Sequence, residues 1–276
     1  MRNWSLDPSL KREEKNGDPL EATDPFFLIR ICTINLTLPV RTCETWYKSQ
    51  PSDTVSVIAS RVLMPGIHFK HIIWDVDGTL FDTYPAISAA ILAALAEQGV
   101  TIEREIVTRM AMTSLGTTLP DLAKRFKLDH ERLYVRYDFF LAGTPLGSQR
   151  PFPGVKRVLQ RVVYNGGLNL IATHRGRDSL VPMLKYHRLY SLFTDMLSIH
   201  DGYPRKPNPA MFTTLIERHG IKPEDTVTIG DRDLDLQAGR AAGIRTILYG
   251  DAPHKVVPDY HTCDYDEILQ LMESSG

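Results

Sequence analysis

Asp75-Val76-Asp77-Gly78-Thr79-Leu80 places two carboxylates two residues apart, directly after the apolar run His71-Ile72-Ile73-Trp74. Strand side chains i and i+2 share a direction, so a strand ending here aims both acids at one spot. Gly78 lets the backbone turn sharply, and the N–H groups of such a turn suit a phosphate. By itself this is an ordinary polar strand end. Three later segments make it more than that: Leu168-Asn169-Leu170-Ile171-Ala172-Thr173-His174, Arg205-Lys206-Pro207-Asn208-Pro209, and Thr226-Val227-Thr228-Ile229-Gly230-Asp231-Arg232-Asp233-Leu234-Asp235. They add a strand-end hydroxyl, a lysine next to proline, and a second strand ending in acids.

Such a set supplies what phosphate-ester hydrolysis needs: a nucleophile, charge neutralisation and a proton for the leaving group. Asp75 is the candidate nucleophile, its carboxylate attacking phosphorus to form an aspartyl-phosphate. Asp77 is the candidate general acid, and then the base that activates water. The two jobs need different protonation states, which repulsion and a cation beside one of the pair can separate. Oxygens of Asp75, the Asp77 backbone carbonyl and Asp231 suit octahedral Mg²⁺. Thr173 offers its hydroxyl to a phosphoryl oxygen at an expected helix N-terminus. Lys206 neutralises the phosphoryl group and holds Asp75. Gly78 joins the phosphate-binding candidates, Asp235 acts one layer back through water or Lys206, and Asp233 points elsewhere.

The four ordered motifs resemble those of the haloacid dehalogenase (HAD) superfamily: an Asp-x-Asp-Gly-Thr strand end, a Ser/Thr strand end, a Lys, and a Gly-Asp-x-x-x-Asp strand end. The resemblance spans residues 67 to 270. It implies a Rossmann-like parallel α/β core, the same Mg²⁺ ligands, and a helical C1 cap that closes over the site and selects the substrate. One departure is His174, where many members carry Asn; it either makes a similar hydrogen bond or faces the cap. An acid at Asp77 favours phosphoryl transfer over dehalogenation. Asp82 and the Ala-Gly-rich helix after Gly230-Asp231 look most like the phosphoglycolate-phosphatase-like branch, with a β-phosphoglucomutase-like phosphotransferase second. Lys124 and Lys127 lie in the cap without the context of a Schiff-base lysine.

The elements that must position these groups follow from periodicity. Strands are expected near 70–76, 168–173, 193–199, 226–230 and 245–249. Helices are expected over 85–98, with Ile87, Ile91, Leu92 and Leu95 on one face; over 102–113, with Ile106 and Met110; over 119–126, with Thr118 as N-cap; and over 130–141, with Leu133, Tyr137, Phe140 and Leu141. Residues 67–84 and 150–276 are thus the expected core, and 85–149 the cap. Residues 1–66 fit neither pattern and are expected to be an extension, disordered or not native, with Met64 as an alternative start.

A formal net charge of −1 removes the electrostatic case for nucleic acid or an anionic membrane as partner. No apolar run approaches the roughly 20 residues of a membrane span. The three cysteines, Cys32, Cys43 and Cys263, have no metal-ligand spacing, so reduced thiols and a cytoplasmic location are expected. The expected partner is a small phosphorylated metabolite. A response-regulator-like signalling module also uses acids, Thr and Lys on a parallel sheet, but the long insert after the first strand argues against it. A non-catalytic phosphate-binding protein would be expected to lack a motif, and none is missing.

Overall fold

The computed structural model describes residues 68–252 and 254–273. The extension expected over 1–66, the alternative start at Met64, Cys32 and Cys43 lie outside them. Cys263 is disulfide-bonded, which corrects the expectation of a reduced thiol there. Spacing along a chain does not say which sulfurs meet in space.

The chain runs through β1 (His71–Trp74) and β2 (Phe81–Asp82) into α1 (Tyr84–Ala96), α2 (Arg104–Thr113), α3 (Leu115–Phe126) and α4 (His130–Ala142). It returns by β3 (Arg150–Pro151), then continues through α5 (Val155–Tyr164), β4 (Asn169–Ala172), α6 (Arg177–Tyr186), β5 (Asp195–Leu197) and α7 (Ala210–His219). The last part is β6 (Thr226–Gly230), α8 (Asp233–Ala241), β7 (Arg245–Tyr249), β8 (Tyr260–Thr262) and α9 (Tyr265–Glu273).

Six strands form one parallel sheet in the order β5-β4-β1-β6-β7-β8, a Rossmann-like α/β core. Every residue of β1, β4 and β6 is buried, as expected of strands covered on both faces. Side chains still alternate: Ile72, Trp74 and Ile171 pack with Leu159 of α5, Leu184 of α6 and Ile268 of α9, whereas Ile73, Leu170 and Ala172 pack with Phe212 and Leu215 of α7. Each fully buried side chain of this size contributes roughly 1.5–3 kcal/mol. Central β1 has β4 on one side and β6 on the other, in register from Ile72 opposite Asn169 and His71 opposite Thr226. The chain visits β4 and β5 before crossing to β6, so the sheet's direction of growth reverses beside β1. The crevice at the carboxyl ends of strands at such a reversal is where open α/β sheets bind ligands.

The helical insert has its own apolar cluster, built from Ile87, Ile91, Leu95, Val107, Leu119, Leu122, Leu133 and Tyr137. Two details differ from expectation. The buried face of α2 centres on Val107 and Ala111, with Ile106 and Met110 only half-buried, a rotation of one residue. Helix α3 starts one turn early, and Thr118 is no N-cap: its hydroxyl donates to the Ser114 carbonyl at 2.7 Å. The strands β2 and β3 pair antiparallel, Phe81 opposite Pro151 and Asp82 opposite Arg150, so the outgoing and returning links are zipped together. These two strands and β8 have two or three residues each, too few to show a period of two.

Asn169 ties the sheet to two of its covering segments. Its side chain donates to the Leu159 and Leu192 carbonyls at 2.9 and 3.1 Å and accepts from the Trp74 indole at 3.0 Å. Asn169→Ala leaves the Trp74 indole N–H and the Leu192 carbonyl without this partner, while the Leu159 carbonyl keeps its helical bond, at about 1–3 kcal/mol for each unpaired group. A loss of about 3 kcal/mol or more is expected in urea unfolding, read as a lower midpoint with an unchanged slope.

Candidate active site

Strand β1 ends at Trp74, so Asp75 and Asp77 do not extend the strand's alternation, and their carboxylates meet different partners. Asp75 is 2% exposed and faces the ammonium of Lys206. Lys206 donates from Nζ to Asp75 Oδ1 at 2.6 Å, to Asp235 Oδ1 at 2.5 Å and to the Ala172 carbonyl at 3.0 Å. All three ammonium hydrogens are thereby used inside the protein. Burial works against the charge on Lys206, but Asp235 and Asp75 overcome it and hold its pKa above the ordinary lysine value. For Asp75, burial prevails over Lys206 and raises the carboxyl.

Asp231, directly after β6, completes a buried cluster with Asp75 and Asp235 in which one oxygen from each lies within 4.8 Å of the others. Its Oδ2 accepts from the Tyr84 hydroxyl at 2.6 Å, while its Oδ1 is buried without a hydrogen-bond partner. Burial pushes the Asp231 carboxyl up to about 8; Arg232 pulls it down, and Asp75 and Asp235 push it up again. Arg232 spans the cluster with long contacts, 3.5 Å to Asp75 Oδ2, 3.5 Å to Asp231 Oδ1 and 3.8 Å to Asp235 Oδ2, and its Nε is also unpartnered. Hard carboxylate oxygens with an unsatisfied buried acceptor among them fit a divalent cation with oxygen ligands.

Asp77 lies in the turn after β1. Its Oδ1 accepts from Arg175 twice, from Nε at 3.0 Å and Nη2 at 2.8 Å. Burial opposes the charge on Asp77, yet the Arg175 guanidinium wins and holds its carboxyl below the usual range. The turn closes on itself: Gly78 N–H donates to the Phe81 carbonyl at 2.9 Å, and Phe81 N–H to the Val76 carbonyl at 3.0 Å. The expectation that the Gly78 N–H faces a phosphate is therefore corrected, because Phe81 already occupies it. Glycine is required there for space. Its φ is +77°, and a Cβ would lie 2.3 Å from Asp231 Oδ2 and 2.4 Å from the Tyr84 ring.

Thr173 follows β4, is 1% exposed, and accepts the Arg175 N–H on Oγ1 at 3.1 Å, which leaves its own hydroxyl hydrogen to donate elsewhere. Helix α6 begins four residues on, at Arg177. Of the two readings left open for His174, the structure shows a hydrogen bond made as acceptor: its Nε2 accepts the Lys206 backbone N–H at 2.9 Å. Burial, then Lys206, lowers its pKa to about 3, consistent with a neutral acceptor ring. Asp233 points away and caps the Lys255 and Val256 backbone N–H groups.

Asp75, Lys206, Asp231 and Asp235 are thus brought together, with Thr173 and Asp77 each joined to Arg175. Sequence reasoning missed Arg175, Arg232, Tyr84 and Gln149. Arg232 sits inside the last motif, and Arg175 two residues past Thr173, and those positions were their only signals. Nothing local marks Tyr84 or Gln149.

The family model described as haloacid dehalogenase-like hydrolase matches residues 72–249. A phosphoglycolate phosphatase of Aliivibrio fischeri is 28% identical over 66% of this chain and 85% of its own length. One from Nitrosospira multiformis is 30% identical over 72% of this chain and 91% of its own. A crystal structure from Haemophilus somnus, titled a predicted phosphoglycolate phosphatase, superposes with a TM-score of 0.66 at 22% identity, covering 74% of this chain and 97% of that one. A Thermotoga maritima structure provisionally titled a beta-phosphoglucomutase gives 0.62 at 20% identity, covering 74% and 98%. At those identities the two structures establish the fold alone.

Two outcomes are expected from the charge arrangement. Lys206→Met strands two buried carboxylates and should cost about 3–5 kcal/mol in urea unfolding at neutral pH. For His174, with a folded pKa of about 3 against an ordinary 6.5, the unfolded chain binds a proton that the native chain does not. Its contribution is complete above pH 6.5 and is lost as pH falls from there toward 3. His174→Asn keeps an acceptor and cannot titrate, so its urea midpoint should fall less than the wild type's between about pH 7 and about pH 5.

Proposed function

The chain belongs to the haloacid dehalogenase-like hydrolase family, and on that premise we propose that it is a Mg²⁺-dependent phosphatase. Its substrate is a small phosphate monoester of the phosphoglycolate or sugar-phosphate type. Similarity to named phosphoglycolate phosphatases over most of their lengths supports the branch. The observation that carries the chemistry is the Lys206 ammonium held between Asp75 and Asp235, beside the unpartnered Oδ1 of Asp231.

Lys206 takes Asp75 Oδ1 and fixes the carboxylate with Oδ2 directed away from the ammonium. Asp75 Oδ2 attacks phosphorus in line; the bond to the ester oxygen breaks, and Asp77 gives that oxygen a proton it has first taken from solvent, against the Arg175 guanidinium that holds its carboxyl below the usual range. Water then attacks the aspartyl-phosphate, Asp77 takes its proton, and inorganic phosphate leaves with the Asp75 carboxylate restored. Thr173 donates its hydroxyl to a phosphoryl oxygen. Asp75, the Asp77 backbone carbonyl and Asp231 would hold the Mg²⁺, which would supply charge neutralisation for the phosphoryl group. Asp235 serves by holding Lys206.

Residues 85–149 act as a cap over the core formed by 67–84 and 150–276. The two chain links between them leave and re-enter the core through the zipped pair β2 and β3, which suits a hinge. Choice of ester belongs to this cap, since the core groups touch only the phosphoryl end.

Phosphate release from p-nitrophenyl phosphate tests the reading. Activity should require Mg²⁺ and should fall on the order of 10³-fold or more in Asp75→Asn. Metal-independent turnover, or full activity in Asp75→Asn, would refute it. In a panel of two- and three-carbon phosphates, hexose phosphates and nucleotides, net phosphate release is expected. Conversion of β-glucose 1-phosphate to glucose 6-phosphate without release would instead assign a mutase.

A further inference from the structure

The buried guanidinium of Arg175 bridges two groups that the chemistry above leaves unconnected. On one side it holds Asp77 Oδ1 through Nε and Nη2 at 3.0 and 2.8 Å. On the other, the same Nη2 donates to Gln149 Oε1 at 2.9 Å. Arg175 and Gln149 are 6% and 3% exposed. Gln149 is the last residue of the helical insert before β3, at the point where the two links part.

The Asp77 turn belongs to the same hydrogen-bonded unit. Asp77 bridges to Phe81, Phe81 pairs with Pro151, and the Phe152 N–H donates to the Leu80 carbonyl at 3.0 Å. From the insert itself, Tyr137 of α4 is buried and feels the same charges: burial first, then Asp77, hold its phenol above the ordinary value. Asp77 is therefore oriented by a core arginine whose own orientation is shared with the returning link. Both Arg175 donors fall on Oδ1, and the Thr83 hydroxyl is a further group that favours the Asp77 carboxylate.

We propose that Arg175 is a positioning residue that sets the orientation of the Asp77 carboxylate and, through Gln149, ties that orientation to the strand returning from the cap. The proposal rests on the acid–base reading of Asp77. A planar fork can hold Asp77 and Gln149 at once, whereas a lysine supplies a point charge on a flexible stem. A shift of the returning strand that carries Gln149 away removes one of the two acceptors that fix the guanidinium plane, so the orientation given to Asp77 depends on that strand's position.

Leaving groups separate this role from a purely structural one. An aryl ester such as p-nitrophenyl phosphate departs with little protonation, whereas an alkyl ester needs it. The quantity to measure is kcat/KM for 2-phosphoglycolate, or for the best alkyl ester of the panel, divided by kcat/KM for p-nitrophenyl phosphate in the same sample. This ratio cancels any loss of folded protein. Asp77→Asn should lower it by roughly 10²-fold, the lower end of general-acid effects. Arg175→Met should lower it by roughly 10-fold or more, Arg175→Lys should recover part of that, and Gln149→Ala should lower it by roughly 3-fold. If Asp77→Asn lowers the ratio and Arg175→Met and Gln149→Ala leave it unchanged, the positioning role is overturned while the phosphatase reading stands. If Asp77→Asn itself leaves the ratio unchanged, the acid–base reading fails and the positioning role falls with it.

Discussion

A lysine ammonium with no exposed side-chain surface, shared between two aspartates, is the interaction on which the rest of the site depends. Without it two buried carboxylates would lack their counter-charge, and without them the ammonium would be buried unpaired. The three partners come from the ends of β1, from the segment before α7 and from the first turn of α8. The contact therefore closes only when the sheet order is correct. Removing one partner of such a group costs several times what an exposed ion pair contributes.

Around this fixed point the two acids of the first motif are given unequal surroundings. Asp75 is buried beside Lys206, with burial raising its carboxyl. Asp77 is held by Arg175, which lowers its own. Two aspartates two residues apart in the chain thus differ because one packs into the sheet's carboxyl edge and the other turns toward the link with the helical insert. Asp231 has one oxygen used by Tyr84 and the other unpartnered. Together with Asp75 and Asp235 its oxygens form a buried cluster whose donor set fits a divalent cation.

Legibility in the sequence followed the length and regularity of each element. Long amphipathic stretches such as α1, and apolar runs such as β6, showed their periods plainly. The two-residue strands β2 and β3 had no period to show, although they join the helical insert to the core. The same holds within the site. Asp75, Thr173, Lys206 and Asp231 each sit at a recognisable position in an ordered motif. Arg175, Gln149 and Tyr84 lie in turns and links, where side-chain direction has no rule of alternation. The N–H of Gly78 shows the opposite failure: a turn glycine was legible, but whether its N–H was free depended on Phe81 folding back onto it.

By itself the sequence determined the parallel α/β core, the helical insert and the order in which the polar groups leave the strands. Those follow from local periodicity and from motif spacing, both carried by neighbouring residues. Only the tertiary structure decided which charges face one another: Lys206 with Asp75 and Asp235, Arg175 with Asp77 and Gln149, and Arg232 across the acidic cluster. These partners are separated by up to 157 positions in the chain. Their pairing depends on the sheet order and on burial, because a charge inside a protein persists only where folding delivers its counter-charge.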